Sequence, residues 1–313
     1  MAVTRADVLA ARRRIGGRLH RTPVFSSRTL SGRAAASVFL KAELFQRTGS
    51  FKPRGVLNVL ATLSEEERRR GVIGISAGNH AQALAYGAAL ERIDCLVVMW
   101  RGASELKIAA TRGYGAEVDL VAGDPTGAFE RLEELTGETG RVLVHPFDDV
   151  RTIAGQGTVG LEVEEDVPEL DAIVVPVGGG GLVSGIRAAL ACRVIAVEPE
   201  GSAALHAALA ADRPVPVVPA SIADGLNAPF AGTNALAVCR DRVESVLVSD
   251  EEIASAMRFL YERAKLACEP AGAAGVAALL AGKVPLDPGS TVAVVVSGGN
   301  VAAQNAFAIL ATG

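Results

Sequence analysis

Aromatic residues are scarce, 4% of the chain, although half of it is hydrophobic, so the core has to be assembled from Ala, Val, Leu and Ile. Cysteine is also sparse. Cys95, Cys192, Cys239 and Cys268 lie far apart, with no C-x-x-C pair and no histidine at zinc-ligand spacing, which excludes a disulfide framework and a structural zinc site and fits free buried thiols in a reducing compartment. Surplus positive charge is missing: 31 Lys and Arg stand against 35 Asp and Glu, without the basic stripe of a nucleic-acid binder. The opening MAVTRADVLAARRRIGG has no apolar signal core, and no apolar run reaches membrane length. The expected location is the cytoplasm.

What the chain does have is a regular alternation of short β-branched runs with helical patterns. The runs are Val38 to Leu40, Val72 to Ile75, Cys95 to Met99, Arg141 to Val144, Ala172 to Val177, Val194 to Val197 and Thr291 to Val296. Short apolar runs of this kind are strands buried on both faces, as in parallel sheets. Ser64 with Glu67 and Ser249 with Glu252 are capping boxes that open helices. The second predicts a helix with Ile253, Met257, Leu260 and Ala264 on one face. The pattern predicts doubly wound α/β architecture, with the proline-rich Pro214 to Pro219 as a surface connection.

Four stretches can carry chemistry. Lysine occurs five times in the chain, and one copy, Lys52, sits in GSFKPRG immediately before a proline. Pro53 suits the first turn of a helix, and the residue before proline favours an extended conformation. An amine that loses its proton can form a Schiff base, which a guanidinium cannot; a solvated lysine at a helix start answers the same pattern. Ser76-Ala77-Gly78-Asn79-His80 joins a strand end to an alanine-rich helix. Its amides form a cradle for a carboxylate, and an ordinary Ser or Asn cap is the plainer reading. Gly178, Gly179, Gly180 and Gly181, followed by Leu182, put four glycines between a strand and a helix, as a phosphate site requires. Ser297-Gly298-Gly299-Asn300 closes the last strand, where α/β sheets bind ligands. Glu198 ends the strand after the glycine loop, as a ribose-binding acid does in a nicotinamide fold, but the spacing G-x-G-x-x-G is not met. A nicotinamide oxidoreductase and a non-catalytic binding module remain as the alternatives from other classes.

In order, TGSFKPRG, SAGNHAQALA, VGGGGL and VSGGN resemble the fold-type II pyridoxal-phosphate enzymes of the threonine/serine dehydratase and serine racemase group. HRTPVF, ATRGYGAEV, HPFDDVRTIAGQGT, ADGL and CEPAGA extend the resemblance over nearly the whole chain. It implies a tryptophan synthase β-subunit-like fold of two doubly wound α/β domains. Residues 1–70 plus 145–313 would form the large, cofactor-binding domain, with 71–144 inserted as the small one. It implies that Lys52 carries pyridoxal 5'-phosphate, that Phe51 packs against its ring and Asn79 bonds its phenolic oxygen, that Gly178 to Leu182 hold its phosphate, and that Ser297 faces its ring nitrogen. The Ser76–His80 loop would receive the substrate carboxylate.

The implied reaction is loss of the β-hydroxyl from L-threonine or L-serine, giving a 2-oxo acid and ammonia; the alternative is a serine racemase, or a dehydratase of another β-hydroxy amino acid such as 3-hydroxyaspartate. Ala77 stands where the racemases carry a serine that exchanges a proton, so racemisation by that route is excluded. Glu198 matches a carboxylate that binds a divalent cation in some relatives, but the partner acid's position is Ala204, which leaves a weakened or monovalent site as the expectation. A homodimer or homotetramer is the usual assembly of the group.

Overall fold

A computed structural model describes residues 3–123 and 125–311. The predicted β-branched runs fall in two sheets, six of them as inner strands and the one at Arg141 to Val144 as an edge. The larger is ordered β1 (Val24–Ser26), β2 (Ser37–Ala42), β10 (Thr291–Val296), β7 (Ala172–Pro176), β8 (Arg193–Pro199) and β9 (Glu244–Val248). The smaller is ordered β5 (Glu117–Ala122), β4 (Cys95–Trp100), β3 (Val72–Ile75) and β6 (Val142–Leu143), and all its pairings are parallel. The larger sheet is mixed, because β1 runs antiparallel to β2 while the other pairs are parallel. Strands β1, β5 and β9 lacked a sequence signal, and each is a sheet edge with half-exposed residues, so none needs a continuous apolar run.

The central strands show the two-residue period directly. Val174, Ile195 and Val294 face one buried cluster, under the Asp250–Phe259 and Pro270–Leu280 helices. Ile173, Val175 and Val295 face another, under the Val150–Asp166 and Gly181–Ala189 helices. Both predicted capping boxes are present, on Ser64 and Ser249. The second helix runs regularly to Phe259 and finishes in a wider π turn, Leu260–Ala264. The segment 214–219 has no regular structure, and Val218 is 92% exposed. No helix among the described residues is long and apolar enough to cross a membrane.

A core poor in aromatics is filled by bringing helices close together. A Cβ added at Gly155 would lie 2.4 Å from the Arg54 carbonyl oxygen, and one at Gly185 would lie 2.3 Å from that of Ile153. The Val150–Asp166 helix is thereby pressed backbone to backbone against the Pro53–Leu60 helix on one side and the Gly181–Ala189 helix on the other. Overpacking such a contact costs about 1–3 kcal/mol. Gly155→Ala is expected to lower unfolding stability by that amount in urea titrations. Gly113→Ala, where an added Cβ has no neighbour within 4 Å, is expected to leave stability unchanged or raise it by up to about 1 kcal/mol; equal effects at the two positions would contradict the packing argument.

Candidate active site

The cleft forms where the carboxyl ends of β3, β7 and β10 converge on the start of the Pro53–Leu60 helix. Lys52, Asn79, the glycine loop and Ser297 line it together with Phe51, so residues separated by most of the chain meet in one place. Pro53 occupies the first helical turn as predicted, but Lys52 is itself helical, with φ −54° and ψ −36°. The extended preference before proline is overridden: the Val56 amide bonds the Lys52 carbonyl at 3.3 Å and the Arg54 amide bonds that of Phe51 at 3.1 Å.

The Lys52 amine donates to the Pro146 carbonyl oxygen at 2.9 Å and lies 5.2 Å from the centroid of the Phe51 ring. Burial lowers its pKa to about 8, with Glu269 opposing the shift. The helix behind it is anchored by Arg54. That guanidinium bonds both oxygens of Glu43 at 2.7 and 2.8 Å and both oxygens of Glu162 at 2.7 and 2.9 Å. Lys41 donates to Glu162 at 2.7 Å, so the buried Glu43 and the partly buried Glu162 are matched by two buried cations.

The glycine loop leads into the Gly181–Ala189 helix without a side-chain cap, and Gly180 has φ +93°. A Cβ at Gly179 would strike the Phe147 ring at 2.4 Å, and one at Gly180 would meet Ala235 at 2.7 Å. Uncapped first-turn amides on a loop that tolerates only glycine fit a phosphate. With the Lys52 amine and the Ser297 hydroxyl in the same cleft, the donor set fits pyridoxal phosphate.

The Ser76–His80 loop divides into parts that face the cleft and parts that do not. The Ser76 hydroxyl accepts the Gly78 amide at 3.0 Å, and Ala77 contributes no polar atom. Asn79 is held from both ends: its amide nitrogen donates to Glu269 at 2.6 Å, and its oxygen accepts from Asn300 at 2.8 Å. The His80 side chain is turned onto a backbone carbonyl. Its ring is buried, with Nε2 2.8 Å from the Val144 carbonyl and Nδ1 without a partner. Burial and the neighbouring Lys52 lower its pKa to about 3. Only its backbone remains available to a ligand.

Glu198, the candidate cation ligand, is engaged with the backbone. Its two carboxylate oxygens accept the amides of Leu205 and His206, each at 2.7 Å, and thus cap the Ala204–Ala211 helix. The described residues contain no group of three acids, histidines or cysteines able to hold a metal. Burial raises the pKa of this carboxylate to about 7.

Glu269 was missed as a site residue. It is buried, lines the cleft and holds Asn79, and burial followed by the charge of Asp224 raises its pKa to about 7. The available signal was the same as for Lys52, a charged residue placed immediately before a helix-opening proline, Pro270.

Comparison with known proteins agrees with this geometry. The chain is 43% identical over 306 residues to an L-threonine ammonia-lyase of Thermotoga maritima, covering 96% of this chain and 76% of that protein. It is 40% identical to an L-threo-3-hydroxyaspartate ammonia-lyase of Saccharomyces cerevisiae, covering 95% and 93% of the two chains. The structure of maize serine racemase superposes with a TM-score of 0.94 at 36% identity, covering 98% of this chain and 97% of that one. The model of the pyridoxal-phosphate dependent enzymes matches residues 16–298, and with Lys52, the glycine loop and Ser297 gathered in one cleft the chain belongs to that family.

Proposed function

We propose that this enzyme is an L-threonine/L-serine ammonia-lyase that removes the β-hydroxyl group and yields a 2-oxo acid and ammonia. The observation that carries the reading is Ala77, which has no hydroxyl where the racemases of the group carry a proton-exchanging serine. Racemisation needs a proton returned to the opposite face of Cα, whereas elimination needs a base on one face. The similarity to threonine and hydroxyaspartate ammonia-lyases supports the same reading.

Bound pyridoxal phosphate supplies the electron sink that acidifies the Cα–H bond of an amino acid. Lys52 would hold the cofactor, and its amine, half neutral near pH 8, is the base suited to take the Cα proton. The amides of Gly178 to Leu182 would hold the phosphate, and Phe51 would cover the ring. Asn79, fixed in orientation by Glu269 and Asn300, would bond the phenolic oxygen. Ser297 would offer the ring nitrogen a hydroxyl rather than a carboxylate, and the weaker electron sink this gives would favour prompt loss of the β-substituent. The backbone of Ser76 to His80 takes the substrate carboxylate. We further propose that residues 71–144 act as a small domain against 1–70 plus 145–313, and that the enzyme is a cytoplasmic homodimer or homotetramer.

Two measurements check this reading. Offered L-threonine, L-serine, D-serine and L-threo-3-hydroxyaspartate separately, the enzyme is expected to release 2-oxo acid and ammonia fastest from L-threonine or L-serine. Rapid interconversion of L- and D-serine without oxo acid would overturn it. Because the lowered pKa of Lys52 makes the free amine the major form above about 8, the rate at which cofactor-free protein takes up pyridoxal phosphate should rise with pH to about 8 and then level. A rise continuing to the 10.5 of an ordinary lysine would contradict the burial of that amine.

A further inference from the structure

ADGL is a motif that the catalytic assignments leave without a task. Its acid, Asp224, opens the short Asp224–Leu226 turn between β8 and β9 of the larger sheet. The Lys107 ammonium forms an ion pair with it. Lys107 lies in the Glu105–Gly113 helix, which follows β4 of the smaller sheet. The pair therefore links the surroundings of the smaller sheet to the Asp224–Leu226 turn, whose Gly225 and Leu226 line the cleft.

The position of Lys107 is more specific than that of a surface clamp. Gly78, in the loop assigned to the substrate carboxylate, has no side chain. A Cβ built there would find the Lys107 ammonium at 3.9 Å and nothing else within 4 Å. The loop thus has an open side, and a cation stands across it. The Asp224 side of the gap is equally close to the catalytic groups, since a Cβ on the adjacent Gly225 would lie 3.7 Å from Glu269 and 3.9 Å from the Asn79 amide nitrogen. Lys107 is largely covered, with its side chain 17% exposed, whereas that of Asp224 is 57% exposed. The cation is built in and its present partner is the solvated one.

We propose that Lys107 is a second binding group for the substrate's α-carboxylate, and that Asp224 holds the ammonium beside the loop until that carboxylate displaces it. The proposal rests on the reading that the Ser76–His80 loop receives the carboxylate. The loop amides donate hydrogen bonds but carry no net charge; Lys107 supplies the full positive charge, and charge-assisted bonds are the stronger kind. Asp224 and the substrate then compete for one cation. A competition of this kind gives the two residues opposite effects on substrate affinity.

The test uses the holoenzyme and its Lys107→Met, Lys107→Arg and Asp224→Asn variants, with KM and kcat measured for L-threonine, L-serine and L-threo-3-hydroxyaspartate. Lys107→Met should raise KM for all three about tenfold or more, the loss expected of a charge-assisted bond, with the smaller share of the effect in kcat. Lys107→Arg should restore much of it. Asp224→Asn should lower KM, about two- to fivefold, because the ammonium is released to the substrate. The visible absorption of the bound cofactor should be unchanged in every variant. A KM unmoved by Lys107→Met, or raised by both Lys107→Met and Asp224→Asn, would mean that the pair is only a clamp and would overturn the proposal while leaving the lyase reading intact. A rise confined to 3-hydroxyaspartate would place Lys107 at the β-carboxylate and overturn the α-carboxylate assignment. A wild-type enzyme that turns over none of these amino acids would overturn both this proposal and the lyase reading.

Discussion

The cleft depends on where one helix begins, and that start is fixed by the buried guanidinium of Arg54. Two residues beyond Lys52, it bonds Glu43 beside β2 and Glu162 on the Val150–Asp166 helix. Burial alone disfavours its charge, and the two carboxylates outweigh that cost and raise its pKa. Removing one member of such a cluster would leave an uncompensated buried charge, at a cost of about 3–5 kcal/mol. A hydrophobic replacement of the whole cluster could be as stable. What the ions add is a fixed position and rotation for the Pro53–Leu60 helix, because the forked geometry of Arg accepts its two carboxylates in one arrangement. Gln156 adds a bond to the Gly55 amide at 3.2 Å, and the glycine contact at Gly155 leaves no slack between the helices.

With the helix fixed, the chemistry of the cleft follows from low solvation. Burial lowers the pKa of Lys52 and of the two nearby histidines, His80 and His145, and raises that of Glu269. Every one of these shifts favours the neutral form. A site arranged in this way keeps a lysine ready to act as a nucleophile and base near neutral pH, with no adjacent imidazolium to compete with it. The cation proposed to attract a substrate carboxylate lies outside this set, on Lys107, which is paired here with Asp224.

Much of this was legible in the sequence, and the omissions have common physical causes. Strands β3 and β10 coincide with their predicted runs because they are buried on both faces, whereas β1, β5 and β9 are half-exposed edges that need no such run. The glycine loop was legible because several consecutive positions there cannot carry a Cβ. Interactions between residues distant in the chain were not. Nothing near Glu269 in sequence reveals that Asn79 lies 2.6 Å away, and nothing near Lys107 points to Asp224. His80 and Glu198 show a second limit: their residue types suit binding, but the sequence does not reveal that one side chain meets a backbone carbonyl and the other caps a helix. The conformation of Lys52 is a third case, in which the hydrogen bonds of the helix's own first turn outweigh the extended preference of the residue before proline.

The account rests on Lys52 being the residue that carries the cofactor. Borohydride reduction of the holoenzyme, followed by peptide mass spectrometry, reads this directly, because reduction fixes the cofactor to the lysine that bears it. The structure predicts one pyridoxyl group, on the peptide containing Lys52. A pyridoxyl group on Lys41, Lys107, Lys265 or Lys283, or none on any of the five lysines, would contradict it.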